Sequence, residues 1–179
     1  MAITHAFTSG IADGGDTTLV RPVDWNAEHV GLKVIRKTAD EAVNNSATLQ
    51  NDDHLLFAIA ANEVWEANFV LDILGGATAT TDIKFAMTIP TGCTMVWGGV
   101  FSRAGGTTTL ELGLCQTTSG AQLFCDLEFA SERRIMKLWG IFVNGATAGN
   151  VQLQWAQRVA VVEDTTIKAN SCIIAHQLA

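Results

Sequence analysis

His54 directly follows Asn51-Asp52-Asp53, and a carboxylate beside an imidazole is the simplest acid/base pair a chain can offer, because the carboxylate orients the ring and favours its protonated form. The plainer account is a polar turn just before a strand, and the spacing favours the turn. Asp13-Gly14-Gly15-Asp16 has the flexible, oxygen-rich look of a calcium loop. It offers only two carboxylates and lacks the register of an EF-hand, so it too reads as a turn. Glu28 and His29 are adjacent and cannot share a helix face, which removes the pairing logic of a helical metal site. Cys93, Cys115, Cys125 and Cys172 are widely spaced, with no CxxC pair, and read as reduced, partly buried thiols. No GxSxG or other nucleophile signature is present, and no pair of placed carboxylates suggests glycoside cleavage. The expectation is a protein that is not an enzyme, with no catalytic residues, metal or cofactor.

These residues would have to be positioned by strands. The stretch 134–157, RRIMKLWGIFVNGATAGNVQLQWAQ, holds the longest apolar runs and a clear turn. In its second arm Val151, Leu153 and Trp155 alternate with Gln152, Gln154 and Ala156, the period of two of a half-buried strand. In its first arm Ile135, Trp139, Ile141 and Val143 fall on one face, and Met136, Leu138 and Phe142 on the other. Such a strand needs cover on both sides. Residues 144–150 can reverse the chain, so the stretch reads as a long β-hairpin.

Further strand patterns lie at 33–37, 54–60, 64–74, 82–89, 95–101, 108–115, 123–129 and 171–178. Residues 38–53 read mostly as loop, and 64–74 with 82–89 as a second hairpin. Trp65, Ala67, Phe69, Leu71 and Ile73 share one face of 64–74 and are core candidates. Trp65 and Trp155 therefore read as core rather than as sugar-stacking platforms, while Trp97 precedes Gly98-Gly99, where backbones can approach closely. About nine or ten short strands with regular turn signals and no long amphipathic helix predict an all-β chain. The expected fold is an antiparallel β-sandwich, jelly-roll-like, with an extended N-terminal arm; a closed barrel is the runner-up.

The arm is assigned to residues 1–31 and the sandwich domain to 32–179. The arm has no strand alternation but many turn and cap residues. Pro22 holds Arg21 extended, and Asp24 is placed to cap a helical turn over 25–29. Phe7, Val20 and Trp25 are its docking candidates, because so short a segment cannot order itself alone.

Hydrophobic residues make up 48% of the 179-residue chain and charged residues 16%, lean for a surface fully in water. Part of that surface is expected to meet other protein. The net charge is -7 with no basic cluster beyond Arg133-Arg134, which excludes the electrostatic footprint of a nucleic-acid binder. No apolar run nears the ~20 residues of a membrane span, and the first residues lack the pattern of a signal peptide, so a soluble cytoplasmic product without membrane insertion is expected.

Residues 5–10 (HAFTSG) and 12–30 (ADGGDTTLVRPVDWNAEHV) resemble a leader at the start of many small tailed-bacteriophage proteins, of pattern ADGGDxTLVRPxDWNxxHV. Residues 40–50, 150–157 and 174–176 are similar to a subgroup of the same proteins, so the resemblance spans most of the chain. It implies a virion structural protein on the outer surface of the particle, assembled in the host cytoplasm. A tail-fibre or tail-tip component stands ahead of a capsid decoration or head-fibre protein. The partners it implies are other virion proteins of the tail or capsid and copies of the chain itself, as a homotrimer. A module binding host-surface glycan is the alternative from another class. The attachment and interface candidates are Phe7, Val20, Arg21, Asp24 and Trp25 in the arm, with Trp139, Ile141 and Phe142 in the domain.

Overall fold

The computed structural model describes residues 10–12, 14–15, 21–26, 31–77, 81–102, 110–112, 116–127 and 131–179. Phe7, Val20, Asp13, Asp16, Glu28, His29 and Cys115 lie outside the described residues, as does the side chain of Trp25.

The chain is a jelly-roll-like antiparallel β-sandwich. Its strands are β1 (Leu32–Arg36), β2 (Glu41–Asn44), β3 (Gln50–Ile59), β4 (Val64–Leu74), β5 (Ile83–Thr88) and β6 (Thr94–Ser102). They continue with β7 (Leu110–Leu112), β8 (Leu123–Cys125), β9 (Arg133–Val143), β10 (Gly149–Gln157), β11 (Asp164–Ile167) and β12 (Cys172–Gln177). Among the described residues one sheet has eight strands, in the order β1-β12-β4-β9-β6-β7 with β11 and β2 beyond β4; the other has four, in the order β3-β10-β5-β8.

Alternation explains the strands. On β4, Trp65, Ala67, Phe69, Leu71 and Ile73 are buried while their neighbours are partly exposed. On β9 every second residue, including Met136, Leu138 and Phe142, turns inward. The core forms where these faces meet Leu55, Phe57, Phe85, Val151, Leu153 and Trp155 of the opposite sheet. Trp97 is buried against a neighbour with no side chain: it stands opposite Gly140 on β9, where a Cβ would lie 2.8 Å from its own.

The hairpin expected over 134–157 does not form. β9 pairs with β4 and β6 in the larger sheet, and β10 pairs with β3 and β5 in the smaller one. The connection between them crosses the sandwich, as does that between β4 and β5, so the second expected hairpin is also absent. The physical reason is that a period of two shows which side chains share a face, and a face looking down from one sheet carries the same pattern as one looking up from the other. The β9–β10 crossover is stacked on the β3–β4 crossover. The Asn144 side chain donates to Ala60 O at 2.6 Å and Thr147 O at 2.9 Å, and Asn62, at φ 62°, donates its N–H to Gly145 O at 2.8 Å.

β2 lies where the sequence reads as loop, and β11 in a stretch with no expected strand. They are short and polar, pair with each other, and each is anchored by one buried apolar residue, Val43 and Ile167.

In the arm, α1 spans Pro22–Asn26. Asp24 is not its N-cap but lies inside the first turn, where its carboxylate accepts the Arg21 N–H at 3.0 Å. Proline in the first helical position needs no donor, and the reach back from the third position closes the turn, as in a capping box. That backbone hydrogen bond, then the Arg21 side chain, holds the Asp24 carboxyl below the usual carboxylate value.

Candidate functional site

The outward face of the larger sheet is unusual for a surface in water. Along β9, Ile135 is 68% exposed, Trp139 38%, Ile141 48% and Val143 44%, and Val96 of β6 is 50% exposed. The register makes these one patch: Val143 stands between Thr94 and Val64, and Ile141 between Val96 and Glu66. A shallow groove at this end is lined by Thr94, Met95, Val96, Ile141 and Val143 and is almost wholly apolar. Beyond β9 the face is mixed: Val70 stands between Lys137 and Cys172, and Asn68 between Trp139 and Ile174, itself 36% exposed. Glu66, Asp72, Arg133, Lys137 and His176 punctuate this face, so it carries both signs of charge. Solvated antiparallel sheets normally turn polar residues outward.

Phe142 has no part in that patch. It is fully buried and meets Phe57 edge-on with ring centroids 6.0 Å apart, so an interface role for it is corrected to one in the core. Ile141 and Trp139 are on the outside. Among tryptophans whose side chains are described, Trp65, Trp97 and Trp155 are buried, which leaves Trp139 as the exposed ring. In the arm, Arg21 and Asp24 are paired with each other, Nε to Oδ2 at 3.4 Å.

The second grouping surrounds Asp52, and here the polar-turn reading fails. Asp52 lies within β3 and is 1% exposed. The cause is a bulge. Gln152 of β10 faces Leu56 and Gln154 faces Asn51, so Asp52, Asp53, His54 and Leu55 stand opposite Leu153 alone. The extra residues turn the Asp52 carboxylate inward and free the backbone N–H groups that follow it. Its Oδ1 accepts the N–H of His54 at 2.9 Å and of Leu55 at 2.8 Å. Its Oδ2 lies 2.8 Å from Nζ of Lys37, whose side chain is wholly buried. Lys37 Nζ also donates to Glu41 Oε2, and Glu41 in turn accepts the Asp53 N–H at 3.1 Å and the Gln50 amide at 3.1 Å.

His54 does not form an acid/base pair with Asp52. Its backbone N–H meets that carboxylate, while its Nε2 is 2.9 Å from the Thr38 hydroxyl. Glu41, Asp52 and His54 bring potential metal-ligand atoms within 4.8 Å of one another. The cation both carboxylates already hold is the Lys37 ammonium. Sequence reasoning missed Lys37 and Glu41 because Lys37 ends a short strand pattern and Glu41 sits in a polar stretch, neither with a motif. The one available signal was the break in alternation between Asp52 and Leu55.

No family model matches the chain, and no curated protein matches it. Among solved structures, the chain is similar to the Yersinia pseudotuberculosis-derived mitogen at 13% identity, with a TM-score of 0.34, covering 62% of this chain and 86% of that one. It is also similar to VP2 of an infectious bursal disease virus subviral particle at 9% identity and a TM-score of 0.19, covering 94% of this chain and 46% of that one. The chain thus spans about half the length of that viral protein. Similarities this low carry no argument about function.

Proposed function

We propose that this chain is a structural component of a bacteriophage virion, associated with the tail fibre or tail tip, held to the particle by its N-terminal arm and displayed as an oligomer. The observation that carries the reading is the apolar outer face of the larger sheet. Five strands at ~4.8 Å spacing and about seven residues at ~3.4 Å give a face of roughly 600 Å², close to the ~800 Å² per partner of a standard interface. Covering what remains exposed of Ile135, Ile141 and Val143 contributes about 1 to 2 kcal/mol each before the costs of association. The mixed charges on the face suit contact with a second copy, where Glu66 of one can meet Lys137 of another, Asp72 and Arg133 being paired within the chain. A closed ring of three is the assembly the phage leader favours. The net charge of -7 argues against nucleic acid as the partner.

A glycan-binding reading draws on Trp139, whose half-exposed ring lies beside Asn68. Ile141, next on the same face of β9, and Val96 beside it extend an apolar surface from the ring, which favours protein contact. Quantitative mass spectrometry of purified particles tests the proposal. A copy number far below that of the major capsid protein supports a tail or fibre position, and parity with the capsid would move the protein to a decoration role. Absence from particles would overturn the virion reading altogether.

A further inference from the structure

The cluster around Asp52 has the parts of a self-acylating site, and we propose that Lys37 and Asp52 form an intramolecular isopeptide bond, with Glu41 as the proton relay, that covalently ties the two sheets together. Lys37 follows β1 of the larger sheet, and Asp52 belongs to β3 of the smaller one. The nucleophile is already against its target, with Nζ 2.8 Å from Oδ2 and both side chains removed from water. Lys37 is held there by its backbone: its N–H donates to Ser171 O at 2.7 Å and its carbonyl accepts from Asn170 at 2.8 Å.

The chemistry balances within the cluster. One proton passes from the Lys37 ammonium to the Asp52 carboxylate, giving an amine and a carboxylic acid. The Nζ lone pair attacks Cγ, and the carbonyl π pair moves onto Oδ1. That oxygen is where the His54 and Leu55 N–H groups converge, at 2.9 and 2.8 Å. Two backbone donors fixed on the atom that gains charge are the arrangement of an oxyanion hole. Glu41, hydrogen-bonded to Nζ, takes a second proton from nitrogen and delivers it to Oδ2, which leaves as water while Oδ1 re-forms the carbonyl. The products are one secondary amide and one water, with Glu41 restored and no oxidant, reductant or activating group consumed. Glu41 is the partly exposed member of the three, its side chain 12% accessible, and gives the water a way out.

Two physical effects favour the bond. Fixed reactants behave as if present at roughly 10⁵ to 10⁸ M, which offsets the reluctance of an acid and an amine to condense in water. Burying an ion pair is also expensive, and the amide removes both of its charges.

Intact mass spectrometry of the full chain, purified under reducing conditions, tests this. The folded wild-type protein should be lighter than its sequence by one water, and proteolysis should release a branched peptide joining Lys37 to Asp52. Glu41→Gln keeps both reactants and should have the full mass, with the two segments recovered as separate linear peptides. A folded wild-type protein at its full sequence mass would overturn the proposal, as would a lost water that maps to another pair. A bond formed equally well in Glu41→Gln would overturn the relay.

Discussion

Ile141 and Phe142 are successive residues of β9 that face opposite worlds: Phe142 is fully buried with its ring edge-on to Phe57, and Ile141 stands outside between Val96 and Glu66. A charge placed at each should therefore have different consequences. Phe142→Glu removes core packing worth about 3 to 5 kcal/mol and leaves a carboxylate without water, so loss of the folded state by circular dichroism is expected. Ile141→Glu sets a carboxylate opposite Glu66 at a half-exposed position, so it should cost the domain about 1 kcal/mol, leave it folded, and act chiefly on association. Unfolding by Ile141→Glu would show that this residue is needed within the domain itself.

Two glycines set the packing beneath that strand. A Cβ on Gly140 would lie 2.8 Å from the Trp97 Cβ and 3.1 Å from the Phe142 ring, and one on Gly99 would lie 2.5 Å from Leu138 Cδ2. Gly140→Ala should cost about 1 to 3 kcal/mol in chemical denaturation, because the Trp97 contact is made by a Cβ that cannot rotate away. Unchanged stability would mean that β6 and β9 can separate more easily than their shared register suggests.

The dependence of stability on pH has a defined sign at Asp72. The Arg133 side chain donates to it, Nε to Oδ1 at 2.8 Å, and this hydrogen bond holds the carboxyl below its ordinary value of 3.8. A carboxylate whose folded-state pKa is depressed stabilises fully above the unfolded value and ceases to do so as pH falls through the folded one. Arg133 is well exposed, so solvent screening keeps the contribution small. The stability difference between wild type and Asp72→Asn should be constant near neutrality and shrink below pH 3.8. A difference that grows on acidification would contradict this pairing.

Thiol chemistry offers an independent check on the core. Cys93, Cys125 and Cys172 are free, and burial pushes the Cys125 thiol up to about 12. Native protein should leave Cys125 unalkylated near neutral pH, since the thiolate is the reactive form. After unfolding without reductant, all four cysteines should be modified; fewer would reveal a bridge.

The strand content was largely legible because the alternation is strong where both sequence neighbours pack. β4 runs over the same residues its pattern marks, and the inward set on β9 is the one its spacing separates. Sheet membership was not legible, since β9 and β10 show the same alternation whether they pair or face each other across the core. The ionic cluster was hidden for another reason. Asp52 is turned inward by a bulge that depends on the register between β3 and β10, and Lys37 and Glu41 reach it from the other sheet. In sequence Glu41 and Asp52 look like parts of a solvated polar stretch, and Lys37 like the end of a strand.

The arm has its own test. Removing residues 1–31 should leave a cooperatively unfolding β domain, because the described strands begin at Leu32, yet abolish incorporation into particles. Normal incorporation of the truncated chain, or its failure to fold, would contradict the division into arm and domain.

Association through the outer sheet face is the claim on which the functional account turns, and the molar mass of the wild-type chain in solution tests it most directly. Multi-angle light scattering at micromolar concentration should give an integral multiple of the 19.1 kDa chain, a trimer on the present account, and Ile141→Glu should reduce it to folded monomer. A wild-type protein that remains monomeric, with Val96, Ile135, Trp139 and Ile141 left in water, would contradict it.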